Sequence, residues 1–390
     1  VANDALAAAP LWRREPFRIF FPLGVALTIG GIGHWLLHAL RLIPDYRPIF
    51  HAMTQVQGFL TCMAVGFLFT MVPRRTQSAP PATWQIAVCL IAPPVTVVAA
   101  WYRSWRVAQL AWLATALVVL AFCLARFHGG GAGRRPPVGF VWISLGLLMG
   151  VSGTALSLVY GRLDPALAWL HTIASGLVLQ GMFLGFVLGA GSLALPLMTR
   201  DGAPPDAGDG RHDAAGLAGH LVAALLLVGS FWLEATTSLR LGVALRCTVV
   251  LAVYLFGIGM WRRPTRPGWN ARAIWLAAWL VPLGYLLAAL DPGDALAGLH
   301  VTFIGGFALL AMLISIQVTV GHGGYVELRL GRPWAVPWIF ALALGAIGFR
   351  AAMELDPRRF FPWMAAAALC FLAALAMWAL FVVPKLLRAP

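Results

Sequence analysis

Apolar runs, each about as long as the ~20 residues a helix needs to cross a bilayer, alternate with short polar breaks along nearly the whole chain. Twelve such runs lie near residues 18–40, 50–72, 84–101, 107–125, 138–159, 167–190, 214–233, 241–261, 271–290, 296–320, 334–352 and 361–383. The breaks hold Pro, Gly or Asp, as in Pro73-Arg74-Arg75, Gly129–Pro137 and Asp291-Pro292-Gly293. The pattern predicts an all-α, polytopic membrane bundle of about twelve transmembrane helices in a single membrane domain. Its longest polar stretch, residues 192–213, holds Asp201, Asp206, Asp209 and Asp213 and reads as a linker between six-helix halves 1–191 and 214–390.

Composition removes the soluble alternative. Hydrophobic residues make up 61% of the 390 and charged ones 11%, too little charge to solvate a globular surface. No cleavable signal stands out, because Arg13, Arg14 and Arg18 precede a span too long for a signal h-region. The net charge of +14 does not indicate a nucleic-acid partner, since the arginines sit in twos and threes between apolar runs. They set topology instead. With the N-terminus inside, 18 of the 28 basic residues fall on inner loops, tails and helix ends, and 10 on the outer side. This places both termini in the cytoplasm, in a multi-pass protein of a bacterial-type inner membrane.

Acidic residues avoid the middle of every span. Cation-coupled transporters and proton pumps keep a carboxylate there to bind or relay the ion, so the chain is a poor candidate for either. Cys62, Cys89, Cys123, Cys247 and Cys370 each lie within an apolar run and form no CxxC pair, which reads as packing. Gly181, Gly185 and Gly189 recur every fourth residue and predict close helix packing.

The nine histidines are the chemistry-bearing residues. In the orientation above, spans two, six and ten run from outside to inside. His51, His171 and His300 stand at their outer ends, and His34 and His38 share one face near the outer end of span one. Five imidazoles in one thin layer suit haem iron or copper. An interfacial belt of histidines is the other reading of the same layer. A sparser inner layer holds His220 and His322, the latter in Gly321-His322-Gly323-Gly324; His128 and His212 lie in polar loops.

Three segments carry a family resemblance. His51-Ala52-Met53-Thr54-Gln55-Val56-Gln57-Gly58-Phe59, continuing from Ala64 to Pro73, resembles the second span of the NnrS family of haem- and copper-containing membrane proteins of nitric oxide metabolism. Pro16–Leu23 is similar to that family's opening segment, and His300-Val301-Thr302 through Gly321-His322-Gly323-Gly324 to its histidine-bearing tenth span. Met53 and Thr54 stand where the family has its second histidine and a glutamate, and Arg74-Arg75 where it has Asn-Trp, which marks a divergent member.

The resemblance implies haem, of b type because no CxxCH motif exists, held by His51, His300 or His322. It also implies copper, for which His34, His38 and His171 are candidate ligands and Met53 a candidate thioether. The expected partners are the lipid bilayer, nitric oxide and an electron donor that the sequence does not identify. Reduction of nitric oxide is the leading activity. A haem or copper carrier, a gas sensor and a cofactor-free transporter stay open beside it.

Overall fold

The computed structural model describes residues 8–128, 137–160, 167, 169–201 and 214–388. Among these residues there is no strand, and twelve helices are long and apolar enough to span a bilayer. They are α1 (Phe17–Ala39), α2 (Pro48–Thr76), α3 (Thr83–Trp101), α4 (Trp105–Phe127), α5 (Val138–Val159) and α6 (Trp169–Thr199). The second set is α7 (Ala214–Thr236), α8 (Leu239–Ile258), α9 (Trp269–Leu290), α10 (Ala295–His322), α11 (Ala335–Leu355) and α12 (Pro357–Leu386). Hydrocarbon offers the main chain no water, so each span closes its own hydrogen-bond ladder and the apolar pattern becomes helix throughout.

α2 and α6 run furthest past their predicted ends. α2 continues past Pro73 and α6 past Pro196, each finishing three residues later on a threonine. Thr76 Oγ1 donates to Val72 O (2.8 Å) and Thr199 Oγ1 to Leu195 O (2.7 Å), one turn back along each helix. The expected linker therefore begins about eight residues late, because Ser192–Thr199 is helical; residues 202–213, His212 among them, lie outside the described residues. So do Arg134 and Arg135 of the loop after α4.

Three helices form the centre. In α2, α6 and α10, 67–83% of the apolar stretch is buried inside the protein, against 22–50% in the others, which face lipid. The same three each contain a π-helical segment: Thr54–Leu60, Leu177–Gly181 and Val301–Leu309. A fourth lies in α8, at Val253–Ile258. These widened turns are found most often at functional sites. The glycine stripe does what its spacing predicts, for a Cβ on Gly185 would strike Trp142 O and the backbone of Gly146, and one on Gly189 would strike Ile143 N, both on α5. One apolar core runs through both halves, from Phe21 and Phe59 to Leu313 and Trp378. The cysteines are all free, with Cys62, Cys89, Cys123 and Cys247 buried as packing residues.

One charge is wholly enclosed. Arg246 of α8 is 0% exposed and donates to Glu234 Oε2 (2.6 Å), Gln180 Oε1 (2.8 Å) and Ser230 Oγ (3.2 Å), tying α6, α7 and α8 together. Its guanidinium lies 3.9 Å from the ring centre of Phe231.

Candidate functional site

Where the C-terminal end of α1 meets the N-terminal end of α2, histidines and aromatics interlock. Gly31 lets the two helices cross closely, since a Cβ there would lie 2.7 Å from Gln55 Nε2 and 2.9 Å from Thr54 Cβ. That approach brings His51 Nδ1 to 3.4 Å from Gly31 O and its ring to 5.3 Å from that of Trp35. Trp35 also packs on His34 (5.5 Å) and His38 (6.4 Å), and the two histidine rings stack on each other at 6.4 Å. His38 Nδ1 sits 3.3 Å from Ile43 O.

His34 is the anomaly. It is 3% exposed, enclosed by Trp35, Phe50, Trp101 and His38, and both its ring nitrogens are buried without a hydrogen bond. An orphaned buried polar group costs about 1–3 kcal/mol, so it marks either strain or a ligand site.

His300 begins the π-helical segment of α10 and places Nδ1 2.7 Å from Leu296 O. It lies within electrostatic reach of His51, and Arg350 of α11 within reach of both. Arg350 is itself held by Glu354 at 2.7 Å. The spacing Arg350–Glu354, one helical turn apart on a span otherwise apolar for two turns before it, was the signal that could have marked this residue from sequence.

A carbonyl only accepts, so each histidine whose Nδ1 meets one carries its proton there and leaves an Nε2 lone pair for a metal. His300, His38 and, at longer range, His51 are in that state.

The expected copper set is not gathered. His171 is exposed at the start of α6, which packs there on α5 and α7, beside Trp169 and Trp232. Met53 is buried among Phe50, Ala99, Ala100 and Ala108, so it serves the packing of α2 on α3 and α4. Among the described residues, no three His, Cys, Asp or Glu side chains stand close enough to hold a metal ion.

The inner layer divides as well. His220 accepts a hydrogen bond at 3.0 Å from Trp142 Nε1 and is a packing residue. His322, at the C-terminal end of α10, meets Val318 O through Nδ1 (2.8 Å) and packs its ring 5.0 Å from Phe17. It lines a cleft of about 310 Å³ between α2, α6 and α10 that also receives Thr70, Arg74, Arg75, Met71 and Met198. Beside the cleft, buried Glu15 pairs with Arg18 (2.6 Å) and Arg74 (3.2 Å). The side chain of His128 lies outside the described residues.

Fold and site together define a multi-pass, all-helical membrane protein with imidazoles at the ends of its central helices. The chain belongs to the NnrS family, whose family model, described as NnrS protein, matches residues 10–389. It is thereby a membrane protein of nitric oxide metabolism. No curated protein matches it.

Proposed function

We propose that the protein binds haem at the outer ends of α1, α2 and α10 and reduces nitric oxide there. The observation that carries this reading is the set of imidazoles, His51 and His300 foremost, whose Nδ1 atoms face main-chain carbonyls and whose Nε2 atoms are left to coordinate. The residues fit the group. His34 supplies buried nitrogens that lack any partner, and Arg350 supplies a cation for a haem carboxylate within reach of His51 and His300.

Bound haem would supply an iron centre that holds nitric oxide and passes it electrons. The overall change joins two NO with two electrons and two protons to give N2O and water. His51 and His300 would hold the haem from different helices, and nitric oxide would bind where one of them leaves the iron open. The aromatic wall of Trp35, Phe50 and Trp101 keeps water from the gas. Protons can come from the outer aqueous face, which fits spans without a mid-membrane carboxylate. Both termini in the cytoplasm of an inner-membrane protein is part of the same reading, and copper at His34 and His38 an addition to it.

The test is a visible spectrum and metal analysis of protein purified from cells supplied with iron and haem precursor. A Soret band with NO consumption by the reduced protein is expected. A colourless preparation overturns the reading, and a haem spectrum without turnover leaves a carrier or sensor.

A further inference from the structure

The end of the bundle that carries His51 finishes in an apolar patch. The loop between α1 and α2, with the first turn of α2, leaves Leu40, Leu42, Tyr46 and Ile49 each more than half exposed. Two neighbours close on it. Arg103 of the α3–α4 turn lies 3.9 Å from Asp45 of the loop, and Phe361 at the start of α12 lies 5.8 Å from the His38 ring and from the Arg41 guanidinium. Because α12 packs on α1 and α3 on α2, the patch caps the end of the bundle instead of a flank that meets lipid. The loop and the turns beside it carry Arg41, Arg47, Arg103, Arg106, Arg358 and Arg359 against Asp45 and Asp356. Rings lead inward from the patch. Tyr46 lies 4.7 Å from Trp35, and Trp35 lies 5.3 Å from His51.

We propose that this patch is the docking surface for an acidic, soluble one-electron carrier protein, and that Tyr46 and Trp35 bridge the docked carrier to His51. An exposed apolar centre within a charged rim has the anatomy of a protein interface. The excess of arginine selects an acidic partner and speeds its encounter. A patch this small suits a partner that leaves after each visit, as weak redox encounters do. Electron tunnelling weakens steeply with every empty gap, and the two rings fill the space between the surface and the imidazole with atoms in contact. Each visit oxidises the carrier by one electron and reduces the centre held by His51 by one. Two visits therefore supply the two electrons that two NO consume. A lipid surface would also meet the arginines, but it has no use for a line of rings that ends on a histidine.

The electron path rests on the haem reading of the protein, whereas docking is measured without it. Binding of labelled flavodoxin, a small acidic electron carrier, is followed by fluorescence anisotropy with the intact chain in phosphatidylcholine nanodiscs. Binding that weakens as ionic strength rises is expected, and Arg41→Glu/Arg358→Glu should weaken it several-fold. Arg262→Glu/Arg263→Glu, exposed at the opposite end of the bundle, should leave it as it was. Tyr46→Leu keeps an apolar patch and should bind flavodoxin nearly as well, yet its haem should be reduced several-fold more slowly by reduced flavodoxin. A small neutral hydroquinone should reduce both proteins alike. Unchanged binding in Arg41→Glu/Arg358→Glu, or loss in Arg262→Glu/Arg263→Glu instead, overturns the docking surface and leaves the haem reading standing. Equal rates in Tyr46→Leu and wild type overturn the path of rings. A colourless protein that binds flavodoxin as expected overturns the haem reading, and the path with it, but keeps the surface.

Discussion

At the scale of single residues, His34 separates chemistry from packing. Two buried ring nitrogens without partners destabilise the apo-protein by about 1–3 kcal/mol each, so His34→Phe should raise its melting temperature. If His34 serves a metal or haem, the same substitution lowers cofactor content; higher stability with full cofactor would show that it serves neither. His220→Ala is the contrast. It leaves the Trp142 indole N–H unsatisfied and should cost about 1–3 kcal/mol in thermal unfolding while the haem spectrum stays as it was. Asp45 predicts a pH response. Its hydrogen bond from Arg47 (2.5 Å) holds the carboxyl below the usual carboxylate range, and Arg47 also reaches the Trp101 carbonyl just ahead of the helix that bears His51. The depressed value means that the tie is complete above the ordinary range of about 4 and is lost only as pH falls through the lowered value. Hydrogen-exchange protection factors of residues 40–50, corrected for the intrinsic rate at each pH, should therefore be equal at pH 7 and pH 5, and lower at both in Asp45→Asn.

At the scale of helices, the decisive contacts are a charge cluster and a set of glycines. Removing one partner of an enclosed ion pair strands the other, at a cost of about 3–5 kcal/mol. Glu234→Ala should thus lower the melting temperature sharply, whereas Arg246→Met with Glu234→Leu recovers most of the loss, because α6, α7 and α8 can then pack through apolar side chains. Failure of the double variant to recover would assign Arg246 a role beyond packing. The legibility of the sequence differs between these two features. Glycines at a spacing of four announce themselves, since nothing else lets two backbones meet, and Gly185 does lie against Gly146. Arg246 did not, because seven residues separate it from the start of α8 and the same sequence suits an interfacial cation or an enclosed one. Which it is depends on Glu234 and Gln180, contributed by other helices.

At the scale of the whole molecule, twelve spans put both termini on one side of the membrane, and the basic residues favour the cytoplasmic side. Reporter fusions at the C-terminus should be active in the cytoplasm and silent when they require export; the reverse pattern would invert the bundle and exchange the two histidine layers. The inner cleft would then face outward and the His51–His300 site inward, so topology is the first thing to establish for either site.

The sequence by itself determined the number of helices, their order and the family, because span length is fixed by the thickness of hydrocarbon and every main-chain group must be satisfied locally. It also marked His51, His300 and His322, whose neighbours resemble the family's own segments. Their surroundings were beyond it. Arg350 comes within electrostatic reach of His51 and His300 only because α11 packs beside α10, and Arg74 and Arg75 line one cleft with His322 only because α2 and α10 converge there. Met53 and His171 look like ligands in one dimension, yet one is packed against α3 and α4 and the other is exposed on the flank of α6. A helix span fixes the depth of a side chain in the membrane. Its azimuth, and hence its partners, comes from how the helices pack.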